Sequence, residues 1–259
     1  MLMGSHKHKL GIYVFCYNEV AAVKYALTSF RSFYPEAPIY LAIESSTDFS
    51  ELESLGNISI NYVEDSLTAI LPIRPDERFR TPENQRAIKF GITAFFDRLA
   101  KAIPFFDSEY ILLHCPDTLI RGKLNIPDGV GLLGTTVNKY FCGETNDLLV
   151  QQGGIRINSF GAVPDIFRTD DYLKAVEIFQ RDPTFIDKLC NSFYAVCSYD
   201  ILLPILFSLI GKSETFNPDT VECGRNPNWE TSHHPLVHQF RRYYPVRTAK
   251  HHVEQNLPR

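Results

Sequence analysis

Short runs of β-branched and aromatic residues alternate with helical patterns along the first part of the chain. Leu10 to Cys16 (LGIYVFC), Ile39 to Ile43 (IYLAI) and Ile58 to Val63 (ISINYV) read as strands. Between the first two, Val20, Val23, Ala26, Leu27 and Phe30 recur at helical spacing until Pro35 and Pro38 break the pattern, and Phe49 to Leu55 fits a shorter helix. Parallel strands need a crossover connection, which a helix supplies. The order β-α-β-α-β therefore predicts an α/β fold with a mostly parallel central sheet flanked by helices, binding ligands beyond the carboxyl ends of its strands. The loops YNE (Tyr17 to Glu19) and ESS (Glu44 to Ser46) fall on that edge.

A fourth strand follows. Leu71 to Pro82 is rich in proline and charge and reads as an exposed loop, and a helix is expected from about Glu83 to Ala102 with Ala87, Phe90, Ala94, Phe95, Leu99 and Ala102 on one face. Then Tyr110 to Gly122 (YILLHCPDTLIRG) joins an uninterrupted apolar stretch, as a strand buried on both faces requires, to a Cys-Pro-Asp triplet and a basic turn. Asp117 there is either a ligand-side carboxylate or an ordinary turn aspartate after Pro116. Cys115 reads as a small buried hydrophobe. Val130 to Val137 fits a further strand, and helices are expected near Thr169 to Gln180 and over Ile201 to Ile210, with Asp200 in the capping position and Pro204 in the first turn. No linker divides the chain, so residues 1–259 are expected to form one domain.

Composition narrows the function classes. A net charge of −4 and a pI near 6.1 provide no basic footprint for nucleic acid. The six cysteines form no C-x-x-C pair, which suits reduced thiols and a cytoplasmic location. The N-terminal MLMGSHKHKL lacks the apolar core of a signal peptide, and the longest apolar run, Ile201 to Ile210, falls short of the about 20 residues of a transmembrane segment.

Taken in order, CYNE, ESS, CPD, the Gln151 to Gly154 segment (QQGG), the YD of Tyr199 and Asp200, and VHQFRRYY make the chain resemble the GT-A-fold nucleotide-sugar glycosyltransferases, family 2-like, with a degenerate Asp-x-Asp motif. The resemblance implies a nucleotide-sugar-binding half over about 10–125 and an acceptor-binding, catalytic half over about 126–259. It implies that Cys16, Tyr17 and Asn18 contact the nucleotide and that Glu44 with Ser46 reads its base or ribose. Cys115, Pro116 and Asp117 take the place of the Asp-x-Asp metal site, Gly153 and Gly154 that of an acceptor-side segment, and Asp200 that of the base in inverting members. His238 takes that of a late metal ligand, with Arg241 assisting the diphosphate. From the residues alone, Asp200 is also a helix cap, His238 a solvated histidine and the glycine pair an ordinary turn.

The implied partners are a nucleoside diphosphate sugar donor and a glycan or other hydroxyl acceptor, and the implied cofactor is manganese or magnesium. Cys115 tells against the cation, because a hard divalent ion prefers oxygen ligands. The rival reading is a non-catalytic module that binds sugar nucleotide or glycan without turnover. A nucleotidyltransferase fits less well, because CYNEVAAVK lacks the glycine-rich, basic phosphate loop such an enzyme places after its first strand.

Overall fold

Strand β1 (His8–Cys16) lies near the centre of the sheet, paired in parallel with β2 (Ile39–Ile43) on one side and β4 (Ser108–His114) on the other. The computed structural model describes residues 8–63, 82–116, 118–134, 143–158, 164–192, 199–216, 221–223 and 233–238. Within them β3 (Ile58–Tyr62) pairs in parallel with β2, and β7 (Asp165–Arg168) runs antiparallel to both β4 and β6 (Leu132–Gly134), beyond which lies β8 (Glu214–Phe216). The sheet order is β3-β2-β1-β4-β7-β6-β8. This is the expected mostly parallel sheet flanked by helices, with one antiparallel strand inserted, and the architecture is of the GT-A, Rossmann-like kind. A second, small sheet has the order β5-β10-β9, from β5 (Thr118–Ile120), β9 (Val221–Cys223) and β10 (Leu236–His238).

Alternation along β1 and β4 divides the core into two layers, because successive side chains of a strand point to opposite faces. Tyr13, Ile111 and Leu113 pack with Phe95, Phe96 and Phe106 of α2 (Pro82–Phe106), Tyr172 and Phe179 of α4 (Thr169–Arg181), and Phe207 of α6 (Tyr199–Ser208). Ile12, Val14 and Leu112 pack on the other side with Val23, Leu27 and Phe30 of α1 (Val20–Phe33) and with Phe49 and Leu52 around a short 3-10 helix over Ser50–Leu55. No helix among the described residues is long and apolar enough to cross a membrane.

Several expectations are revised. Helix α2 runs on past Ala102 to Phe106, because Ile103 and Phe106 extend its buried face and Pro104 comes too near the end to stop it. The sequence pattern predicts neither α3 (Gly143–Gln151) nor α5 (Pro183–Ser192). Helix α6 begins at Tyr199, so the Asp200 backbone lies inside its first turn instead of capping it. Of the strand expected over Val130 to Val137, Leu132–Gly134 is formed and 135–142 lies outside the described residues; the loop expected over Leu71 to Pro82 also lies outside them, except for Pro82, which begins α2. Gly153 and Gly154 end α3: Gly153 has φ +82°, and the Gly154 N–H donates to the Leu149 carbonyl at 2.9 Å.

Gly11 is required where β1 passes beneath the end of α2, since a Cβ there would come within 2.5 Å of the Phe106 ring. Gly11→Ala is expected to cost about 1–3 kcal/mol through overpacking, read as a lower urea midpoint at unchanged slope.

Candidate active site

The carboxyl ends of β1 and β2 are fastened to each other. The Glu44 N–H donates to the Cys16 carbonyl at 2.9 Å, the Ser45 hydroxyl donates to the Tyr17 carbonyl, and the Thr47 N–H returns to Ser45 Oγ at 3.2 Å. This leaves Tyr17, Asn18 and Ser46 exposed on a rim of fixed backbone, Tyr17 with 52% of its surface in solvent. Cys16 reaches the rim only through its main chain. Its thiol is buried and faces the Ala42 carbonyl at 3.7 Å, and burial, reinforced by the Glu44 charge, pushes its pKa up to about 12.

Glu44 differs from its neighbours. Its side chain is only 2% exposed, and one carboxylate oxygen accepts from the Arg98 guanidinium of α2 at 2.9 Å. A buried carboxylate requires such a partner, and removing either member of a buried pair costs about 3–5 kcal/mol because the other charge is left uncompensated. The acid expected to read a base or ribose is thus engaged with a helix. In sequence Arg98 is one cation beside a helix's apolar face, indistinguishable from ordinary surface.

The other half of the edge is built at the end of β4. His114 is fully buried, and the Thr118 N–H donates to the Cys115 carbonyl at 3.0 Å, closing the chain into β5; Asp117 itself lies outside the described residues. Strand β5 pairs antiparallel with β10 in the register Thr118↔His238, Leu119↔Val237 and Ile120↔Leu236. The small sheet is anchored by the Ser29 hydroxyl of α1, which donates to the Ile120 carbonyl, and by the Arg121 N–H, which donates to the Pro235 carbonyl at 2.7 Å. The His238 backbone therefore stands beside the residue that follows Asp117. The side chains of His238 and Asp200 are not among the described ones, and Arg241 lies outside the described residues.

Helix α6 ends at the amino edge of the sheet, where Lys212 pairs with Asp171 at 2.5 Å and lies against Gly131, just before β6. At 1.5 Å per residue, Asp200 is about 12 Å from Ser208 along this helix. Gly153 and Gly154 instead adjoin the far end of α6, where the Ile155 N–H donates to the Ser208 carbonyl at 3.1 Å. The structure thus gives the glycine pair a helix-ending task away from Asp200. Asp165, which no motif in the sequence marks, is fully buried at the start of β7 and opposite Leu113 of β4. Among the described residues no group of three or more His, Cys, Asp or Glu could hold a metal ion.

No family model and no curated protein matches the chain by sequence. Solved structures match it by fold. A galactosyltransferase, LgtC, in complex with donor and acceptor sugar analogs superposes with a TM-score of 0.52 at 13% identity, over 94% of this chain and 95% of that one. An active-site mutant of LgtC gives 0.51 at 14% identity, over 88% of this chain and 87% of the other. Likeness at these identities shows a shared fold alone, the GT-A-like architecture described above.

Thiolate, not thiol, reacts with alkylating agents, so a pKa of about 12 leaves Cys16 about one part in ten thousand ionised near pH 8. Cys190 is likewise pushed up to about 11 by burial. Iodoacetamide is expected to modify half-buried Cys115 about ten-fold or more faster than Cys16 and Cys190, as followed by peptide mass mapping. Equal rates would mean that the β1 edge opens readily.

Proposed function

We propose that the chain is a glycosyltransferase that moves a sugar from a nucleoside diphosphate donor to a hydroxyl of a glycan or other acceptor. The observation that carries this reading is the β5–β10 pairing, which sets the His238 backbone opposite Thr118, four residues beyond the end of the buried parallel strand β4. A diphosphate leaving group needs positive or cation-binding groups gathered where its charge develops, and a strand edge with fixed loops suits that need. The structural likeness to a galactosyltransferase solved with donor and acceptor sugar analogs supports the same class of reaction.

In this reading Tyr17, Asn18 and Ser46, with the main chain of Cys16, hold the nucleotide. Asp200 takes the proton from the acceptor hydroxyl as that oxygen attacks the anomeric carbon, while the carbon–oxygen bond to the diphosphate breaks and the pair of electrons leaves with the phosphate. A single base on the side away from the leaving group predicts inversion. Arg241 pairs with the diphosphate.

The donor set decides which cation fits. Asp117 supplies oxygen and His238 nitrogen, while Cys115 stands where a second carboxylate would be. Manganese accepts nitrogen alongside oxygen, whereas magnesium favours an all-oxygen octahedron, so this set suits manganese. When bound, manganese would offset the negative charge on the leaving diphosphate. The rival, a module that binds without turnover, draws on the same cysteine.

Transfer or donor hydrolysis across UDP-, GDP- and dTDP-sugars, with and without manganese, is expected to single out one nucleotide, with an inverted product by NMR. Binding without turnover by any donor and acceptor would favour the module. Asp200→Asn is expected to lower kcat by about 10²–10⁴ with donor affinity retained; a change of only a few-fold would remove Asp200 as the base. Manganese binding, followed by the loss of free-ion EPR signal, is expected to weaken about ten-fold or more in His238→Ala.

A further inference from the structure

The Glu44–Arg98 pair joins parts of the edge that are far apart in sequence. Glu44 follows β2, its N–H is held by the carbonyl that closes β1, and Arg98 comes from the middle of α2. The rings of Tyr13 and Tyr40 stack with centroids 5.4 Å apart, and the Tyr13 hydroxyl, whose ionisation is opposed above all by burial, feels both charges: Arg98 favours ionisation and Glu44 opposes it. At 2% and 14% side-chain exposure, neither charge is presented to solvent as a free ligand would be. A carboxylate so enclosed has little surface to offer a ribose hydroxyl.

On the glycosyltransferase reading above, we propose that Arg98 is a positioning residue for donor binding. By engaging Glu44 it fixes the β1 and β2 loops together, so that the nucleotide is selected by the main chain and by Tyr17, Asn18 and Ser46, not by the Glu44 carboxylate. The guanidinium suits this task because its planar fork stays charged and keeps its direction when desolvated. Ser45 extends the device, since its hydroxyl bonds the Tyr17 carbonyl one residue beyond the bond made by Glu44.

The test pairs amide hydrogen exchange with calorimetric titration of UDP, GDP and their 2′-deoxy forms. In Arg98→Met the Glu44 and Thr47 amides are expected to exchange about ten-fold or more faster, with the β1–β4 ladder amides unchanged. The favoured diphosphate should bind about ten-fold or more weakly, and Arg98→Lys should recover most of both losses. In Glu44→Gln the preference for ribose over deoxyribose should stay within about two-fold of wild type. A folded Arg98→Met with wild-type exchange at Glu44 and Thr47 would overturn the proposal, as would loss of the ribose preference in Glu44→Gln, which would make Glu44 a direct ligand. If Arg98→Met does not fold, Arg98→Gln is read by the same exchange criterion. If the wild-type chain binds no nucleoside diphosphate, the functional reading fails by itself, and amide exchange alone decides the positioning claim.

Discussion

The parallel pairing of β1 with β4 is the constraint on which the rest of the structure depends. Ile12 lies beside Leu112 and Tyr13 beside Leu113, and all four are buried. Strands enclosed on both faces satisfy their backbone groups only through the ladder, so a register shift by one residue would exchange the two core layers. That register brings the end of β1 level with the end of β4. The edge is a consequence of core packing.

Upon this frame the edge is assembled by bonds of very different range. Cys16 to Glu44 and Tyr17 to Ser45 are contacts between neighbouring strands, made nearly automatic by the β1–β2 register. Arg98 to Glu44 reaches from a helix on one face of the sheet to the loop at its rim. Burial makes this bond consequential, because the pair compensates a desolvation cost that either charge alone would leave standing. Pairing of β5 with β10 is the longest-range link, and it joins the middle of the chain to its last described strand.

Cysteine in the triplet takes its meaning from this setting. The Cys115 carbonyl accepts from the Thr118 N–H, so this main-chain bond does not depend on a carboxylate at position 115. A site keeping its backbone while losing one oxygen ligand would bind cations more weakly and lean on nitrogen donors and fixed positive groups. The candidate edge and the proposed metal site are therefore separable features of the same fold.

Sequence by itself determined the elements and their alternation: β1, α1, β2 and β3 follow from period-2 and period-3.6 patterns, and the ligand edge follows from their order. It also marked Tyr17, Asn18, Ser46 and the CPD turn as lying on that edge, since each directly follows a strand. Tertiary structure decided what local pattern does not encode. Glu44 turned inward to Arg98, Gly153 and Gly154 became a helix stop, and His238 came into register with Thr118. Each depends on packing between segments remote in the chain, where burial and ladder pairing choose partners that no periodicity within either segment can specify.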